Sequence, residues 1–202
     1  MVDPWDEWDD VIGGLDPDLD AELFQVAVDR QMTLEIGLAV RCHVRLDQTL
    51  HLTATTLTGT AVSPETSTSK LIGRIERAIT AKPLPGPTAN EKALEALSAA
   101  RLANQHRNRV LHDNWMAVFD DDGPRLERIR TDVPGVENVG VNITPTPDTL
   151  SSIAAVSSEL MAVYYRILGI FLFAQLSNGL TPSEVETECE TALSLISGVD
   201  RE

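Results

Sequence analysis

Leu102-Ala103-Asn104-Gln105-His106-Arg107-Asn108-Arg109-Val110-Leu111-His112-Asp113-Asn114-Trp115 is the stretch around which the rest of the chain falls into order. Up to its end, apolar residues recur at helical spacing. Ala93, Leu94, Leu97, Ala100, Leu102, Ala103, Val110 and Leu111 supply the apolar side of a helix predicted from Thr88 to about His112. Beyond Asp113 the period changes. Trp115, Ala117 and Phe119 alternate with Met116 and Val118, and Asp120-Asp121-Asp122-Gly123-Pro124 is a turn signal followed by Leu126, Ile129 and Val133. Residues 115–133 are therefore expected as a hairpin or irregular flap. The eleven residues from Asn104 to Asn114 hold two Arg, two His, three Asn, one Gln and one Asp. Asn and His are poor helix formers, so local helix stability does not explain why they gather here.

Upstream of this stretch, Asp16-Pro17-Asp18 combines an N-cap, a proline for the first helical position and acids for the first turn. A long helix is predicted from about 17 to 58, bent near Gly37, with the Thr-rich residues 53–60 free to fray or go extended. Gly59 to Ser67 is a loop. Leu71, Ile72, Ile75 and Ile79 mark a second helix over 68–81, and Lys82-Pro83-Leu84-Pro85-Gly86-Pro87 breaks it. Downstream, 134–147 is a Pro/Gly loop. Pro147-Asp148 opens a fourth helix, apolar on most sides, that runs to about Asn178 with Gly179 as its stop. A short acidic helix over about 182–197 follows Thr181-Pro182-Ser183-Glu184. The expected class is all-α: about five helices with the 115–133 insertion, an acidic leader over 1–16 and a single domain over 17–202.

Composition bounds the rest. The chain has 202 residues, 43% hydrophobic and 23% charged, which excludes a disordered chain or a disulfide-stapled mini-protein. The two cysteines, Cys42 and Cys189, lack CxxC spacing and fit a reduced, cytoplasmic protein. The first residues are acidic where a signal peptide is basic, and Ile167–Leu176 is too short to span a bilayer. The net charge is −15, yet residues 21–113 hold nine acids and eleven bases, while 1–20 holds eight acids and no base. This balance argues against DNA and membrane partners and leaves room for a local basic site. The leader either rests its tryptophans, Trp5 and Trp8, on the body or docks on a partner or basic site.

Several chemistries are absent. There is no Walker or dinucleotide glycine loop, no GxSxG elbow and no HExxH. His43 and His51 differ by about 80° around a helix, and a metal would need carboxylates from elsewhere. Neither a metal nor a cofactor is expected. The Asn104–Asn114 cluster does carry a chemistry. Imidazole gives and takes protons near neutral pH, the guanidinium fork fits a phosphate, and Asn orients either without adding charge. That set suits metal-independent cleavage of an RNA phosphodiester, leaving a 2′,3′-cyclic phosphate and a 5′-hydroxyl.

Arg107-Asn108-Arg109-Val110-Leu111-His112 also resembles the signature of the HEPN superfamily: Arg, four to six residues, then His, often with Asn after the Arg. Asp113-Asn114-Trp115 is similar to the H-D-x-W ending of one bacterial branch, and the order of elements over about 24–178 looks like that branch. The resemblance implies a HEPN-like helical bundle that pairs as a homodimer, with the motifs of both copies sharing one cleft. Many members are endoribonucleases of toxin–antitoxin or phage-defence systems, which makes an antitoxin or defence-system protein a partner to expect. On this reading His112 is the general acid/base, Arg107 the transition-state cation and Asn108 the residue that orients the motif. Arg109, His106, Asn104 and Asn114 contact the substrate. Residues five apart on a helix differ by about 140° in azimuth, so Arg107 and His112 of one chain share a face only if the helix ends between them. The rival is a non-catalytic interaction protein, adaptor or regulator, in which His112 and Asp113 simply finish a helix.

Overall fold

A computed structural model describes residues 21–86, 88–112, 114–120, 123–130, 144–148 and 150–198. The acidic leader, the helix start at Asp16-Pro17-Asp18 and most of the 134–147 loop lie outside the described residues. Among the described residues six helices and three strands follow one another: α1 (Ala21–Thr58), α2 (Thr68–Ala81), α3 (Ala89–His112), β1 (Asn114–Asp120), β2 (Gly123–Arg130), β3 (Thr144–Asp148), α4 (Leu150–Leu176), α5 (Pro182–Glu188) and α6 (Glu190–Ser197). The chain is thus helical in class, with one small sheet inserted between α3 and α4.

Two compact units divide it. The first comprises 1–38 and 108–155, the second 39–107 and 156–202. In the first unit the expected hairpin is present and extends further than the sequence indicates. β1 and β2 pair antiparallel from Asn114↔Ile129 to Asp120↔Gly123. Thr144-Pro145-Thr146-Pro147-Asp148, expected as the end of the loop and, at Pro147-Asp148, the opening of the fourth helix, is instead a third strand paired with β2, and the helix starts at Leu150. The strand order β1-β2-β3 puts the prolines at an edge. N–H groups alternate sides along a strand, so Pro145 and Pro147 give up donors on the same, outer side. In the α1 portion of this unit, Glu35 is 2% exposed and accepts a 3.1 Å bond from Gln31 Nε2. Burial raises the Glu35 carboxyl above its ordinary range, against the lowering effect of that bond.

Most of the buried apolar side chains among the described residues belong to the second unit. Leu46 and Leu50 of α1, Leu71, Ile72, Ile75 and Ile79 of α2, Leu97 of α3, and Leu160, Ile167, Ile170 and Phe173 of α4 are buried. Each such side chain is worth about 1.5–3 kcal/mol of transfer free energy. The Thr-rich end of α1 neither frays nor turns extended. Thr49, Thr53 and Thr58 donate their hydroxyls to the carbonyls of Arg45, Thr49 and Ala54, which satisfies them within the helix. Gly59, at φ 63°, then stops it, its N–H returning to Thr55 at 2.8 Å. The proline-rich breaker is tied to α3 by Asn90, whose Oδ1 accepts the Leu84 N–H at 2.7 Å.

Beyond α4, the single acidic helix expected over 182–197 is two helices. The backbone leaves helical geometry at Cys189, at φ −103° and ψ 10°, although no Gly or Pro marks the spot. Cys189 is buried, as are Val185, Ala192 and Ile196, so one apolar stripe continues through the break. Burial, with Glu188 adding to it, pushes the Cys189 thiol up. At Gly169, α4 and α6 meet closely: a Cβ there would lie 2.7 Å from Ile196 N and 2.9 Å from Ala192 O. Arg166, one turn earlier, donates from Nε to the Ile196 carbonyl at 2.9 Å.

Within α4, Ile153–Leu176 is long and apolar enough to cross a membrane by length and composition, longer than the Ile167–Leu176 run that the sequence brings to notice. Glu159 and Arg166 interrupt it, and both make ion contacts, with His106 and Glu95 of α3.

Candidate functional site

The Asn104–His112 cluster lies on one continuous helix, α3, which ends at His112; Asn114 opens β1. The helix does not end between Arg107 and His112. Those two positions therefore differ by about 140° around α3. The inward stripe of α3 includes Ala96, Ala100, Ala103, Asn104 and Val110, all buried. Position 107 falls on this stripe, and Arg107 is half-buried there, whereas Arg109 is exposed. Asn108 is half-buried, and Asn104 is 8% exposed. The side chains of His112 and Asn114 lie outside the described residues.

Arg107 is set in a small group of charged and polar residues within the second unit. Burial lowers its guanidinium from the usual arginine range, and the Asp47 carboxylate of α1 works in the opposite direction. Asp47 in turn accepts the Thr68 hydroxyl of α2 at 2.9 Å and stands 3.7 Å from His51 Nε2. One turn before Asp47, His43 is buried with no hydrogen-bond partner for Nδ1 among the described residues. Burial holds the His43 imidazole below its ordinary value of 6.5; the Arg107 charge adds to this and Asp47 offsets part of it. The fold thus favours neutral His43 beside a half-buried cation, with the Asp47 carboxylate acting on both.

His106 belongs to a second arrangement. Its Nδ1 lies 2.7 Å from Glu159 Oε2 on α4, with the two side chains 34% and 30% exposed. A carboxylate on Nδ1 fixes the ring orientation and favours the tautomer with Nε2 as the acceptor. His106 is therefore an oriented imidazole rather than a loose surface group.

The sequence cluster did not name Asp47, Thr68, His43 or Glu159 as partners. One signal was legible: His43, Asp47 and His51 stand at four-residue intervals on α1, one turn apart. Which helix faces them was not. Among the described residues no three His, Cys, Asp or Glu side chains converge to hold a metal ion. Elsewhere in the second unit, a cleft of about 640 Å³ is lined by Thr55, Thr56, Lys82, Gln175 and Asn178 among others, and holds none of the sequence-predicted residues. Compared with known proteins, the chain matches no family model, no curated protein and no solved structure.

Proposed function

We propose that the chain is a metal-independent endoribonuclease of HEPN type, working in the cytoplasm as a homodimer with a shared cleft. The observation that supports this most is the state of Arg107: a permanent cation, half-withdrawn from water, balanced by Asp47 and followed five residues later by the histidine that closes its helix. A cation held this way is preorganised to stabilise charge growing on a phosphorus centre. A proton-transfer group is needed within reach, and His112 of the same chain is on another azimuth. A two-fold axis supplies the match by setting His112 of one copy beside Arg107 of the other.

In the cleft, one imidazole takes the proton of the ribose 2′-hydroxyl, whose oxygen attacks the adjacent phosphorus. The P–O bond to the 5′-oxygen breaks, and the second copy's imidazolium protonates that oxygen as it leaves. Arg107 faces the phosphorane-like transition state and Arg109 contacts the phosphate. Asn108 orients the motif, and His106, Asn104 and Asn114 line the approach. A toxin–antitoxin or phage-defence setting, with an antitoxin or defence-system protein as partner, goes with this reading.

The test is cleavage of RNA by the purified chain in EDTA, wild type beside His112→Ala. Cleavage that survives EDTA, leaves cyclic-phosphate ends and falls at least about 100-fold in the variant is the expected result. A folded dimer that cleaves no RNA would overturn it. That outcome favours the rival, a non-catalytic helical interaction protein, which has its own support: Arg107 lies on the inward stripe of α3, while Leu94 and Leu102 of the same helix are exposed.

A further inference from the structure

On α2, away from the Asn104–His112 cluster in sequence, Thr66, Ser69, Lys70, Gly73, Arg74 and Arg77 line an open groove of about 470 Å³. Three cations, two hydroxyls and a glycine form it, with no acid and no large apolar side chain. In a chain of net charge −15 such a lining calls for an explanation. Lys70, Arg74 and Arg77 stand at i, i+4 and i+7, so they share one face of α2 and spread over about 10 Å of helix. Among the described residues none of the three pairs with a carboxylate. The one acid of α2, Glu76, is taken by Arg101 of α3.

One of the cations is held in position by neutral groups. Arg74 donates from Nη2 to the Thr58 hydroxyl at 3.1 Å and to the Thr60 carbonyl at 3.3 Å, which orients its guanidinium without cancelling its charge. Arg77 folds back along the helix, its Nη1 3.5 Å from where a Cβ on residue 73 would be; Gly73 keeps that side of the groove low.

We infer that this groove binds successive phosphates of a single RNA strand. Charges spread over three sites along the helix fit several phosphates, not one phosphorylated side chain. Without an apolar lining residue the groove has nothing to insert into a bilayer. Without an aromatic one it has no platform for a base, so the contact is to the backbone and independent of sequence. The choice of RNA among polyanions rests on the ribonuclease reading; the groove itself does not.

The experiment is fluorescence anisotropy of a labelled single-stranded RNA oligonucleotide with the full chain across a monovalent salt series. All proteins carry His112→Ala so that the RNA stays intact. Lys70→Gln/Arg77→Gln alters two exposed side chains, and an unchanged circular dichroism spectrum and Tm verify the fold. The control pair is Lys82→Gln/Lys92→Gln, the same charge change outside the groove. The expected result is an affinity loss of about tenfold or more in the groove variant. The slope of log K against log salt also falls by about 1.4, or 0.7 for each lost phosphate contact, and the control shows neither. Three outcomes overturn the inference: no RNA binding by the unaltered groove, equal losses in groove variant and control, or preferential binding of phosphatidylserine vesicles. Cleavage is read separately with His112 restored. Weak binding by the groove variant together with no cleavage by wild type removes the ribonuclease reading and leaves the groove standing. Normal binding with intact cleavage removes the groove alone.

Discussion

His43 is the residue whose surroundings make the sharpest thermodynamic statement. Its imidazole is buried beside Arg107, with Nδ1 unpartnered among the described residues, and burial holds its pKa below 6.5. The unfolded chain binds a proton near 6.5, and the folded chain binds it only at lower pH. The associated stability is therefore complete above about 6.5 and is lost as pH falls through the folded value. In urea melts the wild-type midpoint should drop between neutral pH and about pH 5. His43→Leu should drop less, and at neutral pH it should be at least as stable, since an unsatisfied buried nitrogen costs about 1–3 kcal/mol. An equal acid-side loss in both proteins would refute this account. The sequence showed His43 as half of a doubtful metal pair. It could not show the charge facing it, because Arg107 comes from another helix far along the chain. The same holds for His106 and Glu159, 53 residues apart, whose pairing only the fold brings about.

At the scale of elements, two glycines in helices have opposite consequences. Gly169 lies where α4 approaches α6, and a methyl group there would press on the Ile196 nitrogen and the Ala192 carbonyl, neither of which can swing aside. Gly169→Ala should cost about 1–3 kcal/mol and lower Tm in proportion. Gly37 in α1 has nothing within 4 Å of its added Cβ. Gly37→Ala should gain about 0.5–1 kcal/mol, because the helix loses a conformationally loose residue. Calorimetry of the two variants reads both signs. Periodicity was enough to place these helices, since a stripe such as Leu71, Ile72, Ile75 and Ile79 declares its own inward face. It was not enough for β3, where Pro145 and Pro147 look like loop residues until an edge strand accommodates them, nor for the break at Cys189, which no helix breaker announces.

For the molecule as a whole, charge is the dominant unspent term. At −15 with a sequence pI near 4.5, the chain repels itself at neutral pH. Raising monovalent salt should increase Tm by a few degrees through screening, with the gain shrinking as pH approaches the pI. A Tm indifferent to salt at neutral pH would mean that these charges are already paired. The same salt should weaken RNA binding in the groove on α2, so stability and affinity are expected to move in opposite directions along one titration. The uneven placement of charge, with acids at the two ends and bases in 21–113, was legible from the sequence alone. That three of those bases line up in one groove required the helix and the loop before it.

The sheet carries one more consequence. A β-ladder grows into a fibre only if both of its edges accept a further strand. Here β3 closes one edge with Pro145 and Pro147, so any recruitment is left to β1. Two copies meeting edge to edge at β1 would form a closed, six-stranded pair whose outer rims are both proline-lined. Association through the described sheet would therefore stop at two rather than extend along it.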